Sequence, residues 1–241
     1  MLLKKWEELP DFMKCTEVYE YYKILEKKKL SLVLKRVFDL VVGALFLIAL
    51  AIPMIIIAMM IKLDSKGPVF YRQERVTAYG KVFKIHKFRT MVNNADRIGT
   101  AVTVCGDRRI TKIGAKLRAK RLDELPQIFD VLSGHMSFVG TRPEVVKYVT
   151  AYSNEMLATL LLPAGITSEA SIRYKDEAKL LDMASDVDRV YVDDVLSEKM
   201  KFNLRSIRNF SFVGDIATML RTVFAVLGKD YSETTEIVRI R

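Results

Sequence analysis

The sequence predicts an α+β protein, mainly helical, built from an N-terminal re-entrant membrane helix, a small β-hairpin and a membrane-associated helical domain. Three observations lead there. The 22 residues from Leu40 to Ile61 carry no charge and are interrupted by Pro53. Two β-rich runs follow, Val69 to Gln73 and Val82 to Phe88, separated by a turn-forming Thr-Ala-Tyr-Gly. Beyond Thr90 the pattern turns helical, with Ile110, Ile113 and Leu117 at three- and four-residue spacing.

A length of 241 residues suits one domain with an appendage, and a 50% hydrophobic content excludes a wholly disordered chain. Two cysteines, Cys15 and Cys105, exclude a disulfide scaffold and suit a reducing compartment. With no Cys-x-x-Cys pair and only His86 and His135, there is no zinc site to propose. Charge and hydropathy pull apart. Lys and Arg number 39 against 29 Asp and Glu, a net +10, yet mean hydropathy is +0.12. Apolar residues segregated into a membrane segment, and a basic face for an anionic partner, together account for both.

Taken in order, residues 1–34 form a charged stretch with Trp6, Phe12, Tyr19, Tyr21 and Tyr22. Without an early apolar core or cleavage site it is no secretory signal. It reads as a helix from Cys15 to Leu34, lying either on the domain surface or at a membrane interface with its aromatics as anchors. Residues 35–66 are the membrane segment. A straight helix over Leu40 to Ile61 would be roughly 33 Å long, enough to cross a hydrocarbon core of about 30 Å. Pro53 argues against that by kinking the run into two pieces too short to span. Basic flanks at both ends, Lys35 and Arg36 before and Lys62 and Lys66 after, place both ends on the cytoplasmic side. A hairpin dipping into one leaflet satisfies both. Asp39, one turn from Lys35 and Arg36, is expected to enter the interface as their ion pair.

Residues 67–228 form the globular domain, with 229–241 as a tail. Seven basic residues from Arg108 to Arg121, with no acid among them, suggest a surface that meets phosphates. Leu122-Asp-Glu-Leu-Pro-Gln127 comes next, and Pro126 at a helix start puts Asp123 and Glu124 at or just before its N-terminus. There one carboxylate could attack phosphorus while the other holds a divalent cation. Gly134 and Gly140 bracket a short apolar strand, and Arg142, locked before Pro143, suits a fixed guanidinium on phosphate. Pro163 to Ser168 reads as a turn, and Ile216, Met219, Leu220, Val223 and Leu227 trace an amphipathic helix, core-facing or membrane-facing.

Together these residues resemble the bacterial sugar transferase family, the monotopic phosphoglycosyl transferases. The resemblance runs from Lys35 to Thr222. It rests on Lys35-Arg36-x-x-Asp39, the apolar run with Pro53, Gln73-x-Arg75 and Lys87-Phe-Arg-Thr-Met91. Arg108-Arg-Ile-Thr111, Leu122 to Gln127, Val131-Leu-Ser-Gly134, Arg142-Pro-Glu144 and Asn209-Phe-Ser-Phe-x-x-Asp215 complete it. It implies a catalytic domain on the cytoplasmic face of the inner membrane. There a sugar 1-phosphate passes from a UDP-sugar to polyprenyl (undecaprenyl) phosphate, with UMP released. By the same resemblance Asp123 is the nucleophile that takes the phosphosugar covalently, and Glu124 is the ligand of Mg²⁺. Lys87, Arg118 and Arg142 handle phosphate. The implied partners are UDP-sugar, polyprenyl phosphate and membrane lipid, with no nucleic acid. Departures at Thr77, Thr141, Ala164 and Asn203 leave the Asp-Glu pair intact. The competing reading is a catalytically inactive, membrane-tethered basic module that binds anionic lipid or nucleic acid; it gives the Asp-Glu pair no purpose.

Overall fold

The computed structural model describes residues 3–95, 107–174 and 187–226; Cys105, Leu227 and the 229–241 tail lie outside them. Two 3₁₀ turns (Trp6–Glu8 and Asp11–Met13) lead into α1 (Thr16–Glu26). The aromatics of this segment divide, with Phe12 and Tyr19 exposed and Tyr21 and Tyr22 turned inward. Tyr21 and Tyr22 are buried with Met13, Val18 and Leu25 in a core completed by Tyr79, Leu161 and Phe210. The Tyr21 hydroxyl donates to Glu155 Oε1 at 2.6 Å and accepts from Arg208 Nε at 2.9 Å. α1 packs on the domain and stops at Glu26 rather than Leu34.

α2 (Lys29–Asp64) is one 36-residue helix with Pro53 inside it. Pro53, expected to kink this run, falls inside one continuous helical element, since its missing N–H removes only one bond of the ladder. The helix is long and apolar enough to cross a membrane. One side, with Met54, Ile57 and Ile61, packs on Phe88 and Leu117. Leu40, Val41, Leu45, Ile48, Ile52, Ile55, Ile56 and Met59 are exposed. Both halves of α2 are fastened to the same body. At one end Arg36 donates to the carbonyls of Val131 (2.7 Å) and Leu132 (3.0 Å), and Asp39 Oδ1 accepts from the Phe138 N–H at 3.1 Å. At the other, the Arg89 guanidinium donates to the carbonyls of Ser65 (2.7 Å) and Lys66 (2.6 Å). The expected pairing of Asp39 with Lys35 and Arg36 is absent. Lys35 bonds Val139 O at 2.6 Å and Asp215 Oδ2 at 2.5 Å instead. Tertiary partners that are rigid and buried win over an in-helix pair worth only about 0.2–0.5 kcal/mol.

The hairpin forms as expected. β1 (Phe70–Val76) pairs antiparallel with β2 (Val82–Phe88), from Phe70 opposite Phe88 to Val76 opposite Val82. Helices α3 (Lys112–Ala119) and α4 (Gln127–Ser133) then bracket a 3₁₀ turn, Leu122–Glu124. β3 (Met136–Val139) follows, then α5 (Val146–Val149) and a 3₁₀ segment, Met156–Leu161. The expected turn over Pro163 to Ser168 is a strand. β4 (Ala164–Thr167) pairs parallel with β3, Met136 opposite Ala164 and Val139 opposite Thr167. Its Gly and flanking Pro are turn signals, but burial between neighbours decides the local structure. Gly165 is needed there, since a Cβ would stand 2.1 Å from the Gly140 nitrogen. α6 (Glu169–Arg173) and α7 (Val187–Val190) follow, and α7 passes through a π-helical turn, Tyr191–Leu196, into α8 (Ser197–Arg208). α9 (Phe212–Val226) closes the described chain. Its amphipathic pattern leaves Val213, Leu220, Val223 and Phe224 exposed beside α2, where Phe212 meets Phe38 edge-on at 5.6 Å.

Candidate active site

The Asp-Glu pair sits where four elements converge. Thr111 caps α3, its side chain accepting from Gly114 N at 3.0 Å. Gly114 lies so close to the chain at Thr90 that a Cβ would meet the Thr90 carbonyl oxygen at 2.0 Å. That close approach lets Arg118, one turn further on, donate from Nε to Thr90 Oγ1 at 2.9 Å. The chain reverses after α3 through Arg121, a non-glycine residue in the left-handed region (φ 53°), and enters the turn that holds Asp123 and Glu124. Pro126, with φ −64°, starts α4.

α4 is pinned to β2 by one buried carboxylate. Asp130 Oδ2 accepts from the His86 backbone N–H at 2.8 Å, and Oδ1 meets His86 Nδ1 at 2.7 Å. The residue after His86 is Lys87, and its Nζ reaches Glu124 Oε1 at 3.2 Å. From the far side, beyond β3, Arg142 donates Nη1 to Glu124 Oε2 at 3.3 Å and Nη2 to Oε1. The Arg142 loop is itself braced. Arg75 Nη1 donates to Pro143 O at 3.0 Å, Val76 N donates to Glu144 O at 2.9 Å, and the Tyr191 hydroxyl donates to Glu144 Oε1 at 2.8 Å. The π-helical turn presents Tyr191 to this contact.

The two carboxylates therefore differ. Burial alone would raise the Glu124 carboxyl, but the Arg142 guanidinium and the Lys87 ammonium outweigh it and hold it well below the usual range. Asp123 moves the other way. Burial and the neighbouring Glu124 charge raise it above an ordinary aspartate, against the pull of Lys87 and Arg118. No side chain among the described residues hydrogen-bonds Asp123. Burial lowers the Lys87 ammonium, partly offset by Glu124. The result is a fixed anion, Glu124, beside an unclamped carboxylate, Asp123, under a roof of cations.

Of the residues expected here, Lys87, Glu124 and Arg142 are in direct contact, and Asp123 is adjacent in the same turn. Arg118 stands apart, bonded to Thr90 and acting on Asp123 through its charge. The basic run is no single face, because Arg109 folds back on Asp107 at 2.6 Å. Sequence reasoning missed Thr90 and the His86–Asp130 clasp; an acid within the apolar stretch of α4 was the available signal. It also gave Gln127 no role, yet both polar atoms of its side chain are buried without a partner at the start of α4. Among the described residues no group of three or more acids, histidines or cysteines gathers. A divalent cation here would have the free Asp123 carboxylate and the remaining lone pair of Glu124 Oε2. Substrate phosphate and water would supply the other ligands, as Mg²⁺ commonly accepts.

Comparison with known proteins shows the family. The family model described as bacterial sugar transferase matches residues 30–229. A Bacillus subtilis (strain 168) protein, provisionally named an undecaprenyl-phosphate N-acetylgalactosaminyl 1-phosphate transferase, is 41% identical over 160 residues, 66% of this chain and 87% of that one. A UDP-glucose:undecaprenyl-phosphate glucose-1-phosphate transferase of Klebsiella pneumoniae is 35% identical over 201 residues, 81% of this chain and 40% of that one. An exopolysaccharide production protein of Rhizobium leguminosarum bv. phaseoli is 48% identical over 114 residues, 47% of this chain and 57% of that one. The chain thus spans most of the Bacillus protein but less than two thirds of the other two.

Proposed function

We infer the reaction from one premise: the chain belongs to the bacterial sugar transferase family. Our reading is transfer of a sugar 1-phosphate from a UDP-sugar to polyprenyl (undecaprenyl) phosphate, with release of UMP and formation of a polyprenyl-diphospho-sugar. That is a first membrane step of exopolysaccharide, capsule, O-antigen or glycoconjugate synthesis. The observation that carries it is the contrast between a clamped Glu124 and an unclamped Asp123 beneath Lys87, Arg118 and Arg142.

In the first step an Asp123 carboxylate oxygen bonds to the β-phosphorus of the UDP-sugar. The bond from that phosphorus to the bridging oxygen breaks, and UMP leaves with the electron pair. In the second, an oxygen of polyprenyl phosphate bonds to the same phosphorus and the Asp123 carboxylate leaves unchanged. The attacking phosphate monoester is largely dianionic near pH 7, so neither step requires a general base. Splitting the exchange spares two polyanions from meeting directly. Lys87 and Arg142 offset charge on the transferred phosphoryl group, and Glu124 keeps both cations in place. A Mg²⁺ at Asp123, Glu124 and the diphosphate would supply further charge neutralisation.

The membrane reading is a re-entrant α2 with the domain on the cytoplasmic face of the inner membrane. It is supported by basic flanks at both ends and by one globular body that fastens both Asp39 and Ser65. The test is incubation of detergent-solubilised protein with undecaprenyl phosphate, Mg²⁺ and a panel of UDP-sugars, with UMP release as readout. UMP from at least one UDP-sugar is expected. Its absence with every common UDP-sugar overturns the proposal.

A further inference from the structure

A second polar cavity, of about 240 Å³, opens between the N-terminal turn of α2, the end of α8, α9 and the carboxyl ends of β3 and β4. Gly140 and Thr141 line it, whereas Arg142, the next residue, turns to Glu124. Neither Asp123, Glu124 nor Arg142 lines the cavity, which touches this segment at Gly140 and Thr141.

Its hydrogen-bonding inventory is lopsided. Both carboxylates of the lining already hold a cation: Asp215 is paired with Lys35, and Glu169 with Arg173. Donors remain. Lys35 uses two of its three N–H groups, on Val139 O and Asp215. The buried Asn203 carboxamide, 5% exposed, has only a 3.7 Å contact with Met200 Sδ. The side chains of Arg205, Arg221 and Asn209 line the cavity and make no hydrogen bond or ion pair with any described residue; Arg205 lies 5.9 Å from the Phe202 ring centre. Lys35, Arg205 and Arg221 against Asp215 and Glu169 leave the lining one net positive charge, and its unspent donors call for an anionic, oxygen-rich ligand. The volume lies below the roughly 300–1,000 Å³ of ordinary small-molecule sites, which suits a headgroup better than a nucleotide sugar.

The surroundings name the rest of the ligand. Five residues beyond Lys35 the apolar run of α2 begins at Leu40, and Arg221 is followed by the exposed apolar Val223 and Phe224 of α9. A molecule seated with its anion on Arg205 and Arg221 has apolar protein surface on which to lay acyl chains. We propose that this cavity binds the phosphate headgroup of an anionic glycerophospholipid of the bilayer, at a site separate from the one where the transfer chemistry occurs. The inference rests on the membrane reading of α2 and goes beyond the proposed reaction.

The full-length protein in detergent, examined by native mass spectrometry with phosphatidylglycerol, tests it. Wild type should retain at least five-fold more phosphatidylglycerol than the Arg205→Gln/Arg221→Gln double variant, with phosphatidylcholine retained weakly by both. Both arginines are exposed, and an unchanged melting temperature checks that the variant folds. In wild type, where no folding question arises, a photoreactive phosphatidylglycerol should crosslink to the end of α8 and the first turns of α9. UMP release in detergent should be the same for wild type and variant. Equal lipid retention, crosslinks confined to other elements, or displacement of the lipid by millimolar inorganic phosphate would each overturn the proposal. So would displacement by undecaprenyl phosphate coupled to lost UMP release in the variant, which would make the cavity the acceptor site. Absence of UMP release in both proteins bears on the reaction alone and leaves the lipid result standing.

Discussion

Asp123 and Glu124 are neighbours in sequence with opposite electrostatic fates, and the difference defines their roles. Replacing Asp123 by Asn removes the attacking oxygen anion. Single-turnover mass spectrometry should then show no phosphosugar adduct, UMP release should fall by a factor on the order of 10³ or more, and melting temperature should hold. The raised Asp123 carboxyl must lose its proton to attack, so activity should fail on acidification at a pH above that of an unperturbed aspartate. Glu124→Gln removes the like charge and frees Lys87 and Arg142 to act on Asp123. Both changes lower the Asp123 value, so the acid limb of the residual rate should move to lower pH; a limb that stays put would contradict the assignment. Arg142→Lys keeps the charge and loses the two-point contact with Glu124, with an expected loss of about 10- to 100-fold in kcat/KM, as for about 1.5–3 kcal/mol in a charged hydrogen bond. At this scale the residue types were legible, because an Asp-Glu pair behind a basic run is written in the chain. Their pairings were not. Lys87, Glu124 and Arg142 meet across 37 and 18 residues, and nothing local shows that Arg118 turns to Thr90.

Elements were legible where local signals and tertiary packing agree. The hairpin, the helix after Pro126 and the strand between Gly134 and Gly140 all form as the pattern suggests. β4 did not declare itself, since four residues with a glycine have too little propensity to outweigh Pro163. Its existence comes from β3, and Gly165 is the point of closest approach. Gly165→Ala should therefore force the two strands apart, with a stability loss of about 1–3 kcal/mol or more read as a lowered melting temperature. Asp39→Ala tests the join of α2 to β3. It strands the buried Phe138 N–H, at a cost of about 1–3 kcal/mol, and hydrogen exchange at that amide should accelerate with no change in membrane attachment. Asp39 was noticed in the sequence for its place at the membrane entrance, but its acceptor role depends on a strand 99 residues away.

For the whole molecule, the conflict between a +10 charge and a positive mean hydropathy resolves into geography. Exposed apolar surface is concentrated on α2 and α9, and a group of cations roofs the Asp-Glu pair. Composition alone left nucleic acid and membrane equally open, and only the placement of carboxylates among the cations separates them. The re-entrant reading of α2 can be tested as a unit. Single cysteines placed just before Leu40 and just after Ile61 should react with an impermeant thiol reagent from the same, cytoplasmic side. Reaction from opposite sides would restore an ordinary span.

The ties of α2 also set a timetable. Ribosomes release α2 long before its partners: Phe138 follows Asp39 by 99 residues, and Asp215 follows Lys35 by 180. At about 5–20 residues per second that is a wait on the order of ten seconds or more. During it, Asp39 is the nearest available counter-ion for Lys35 and Arg36, four and three residues away on one helix. The pairing that the finished fold discards is the one that suits the newborn helix. A Lys35→Met change should thus harm insertion yield during synthesis, measurable by pulse-labelling, separately from any loss in the mature protein.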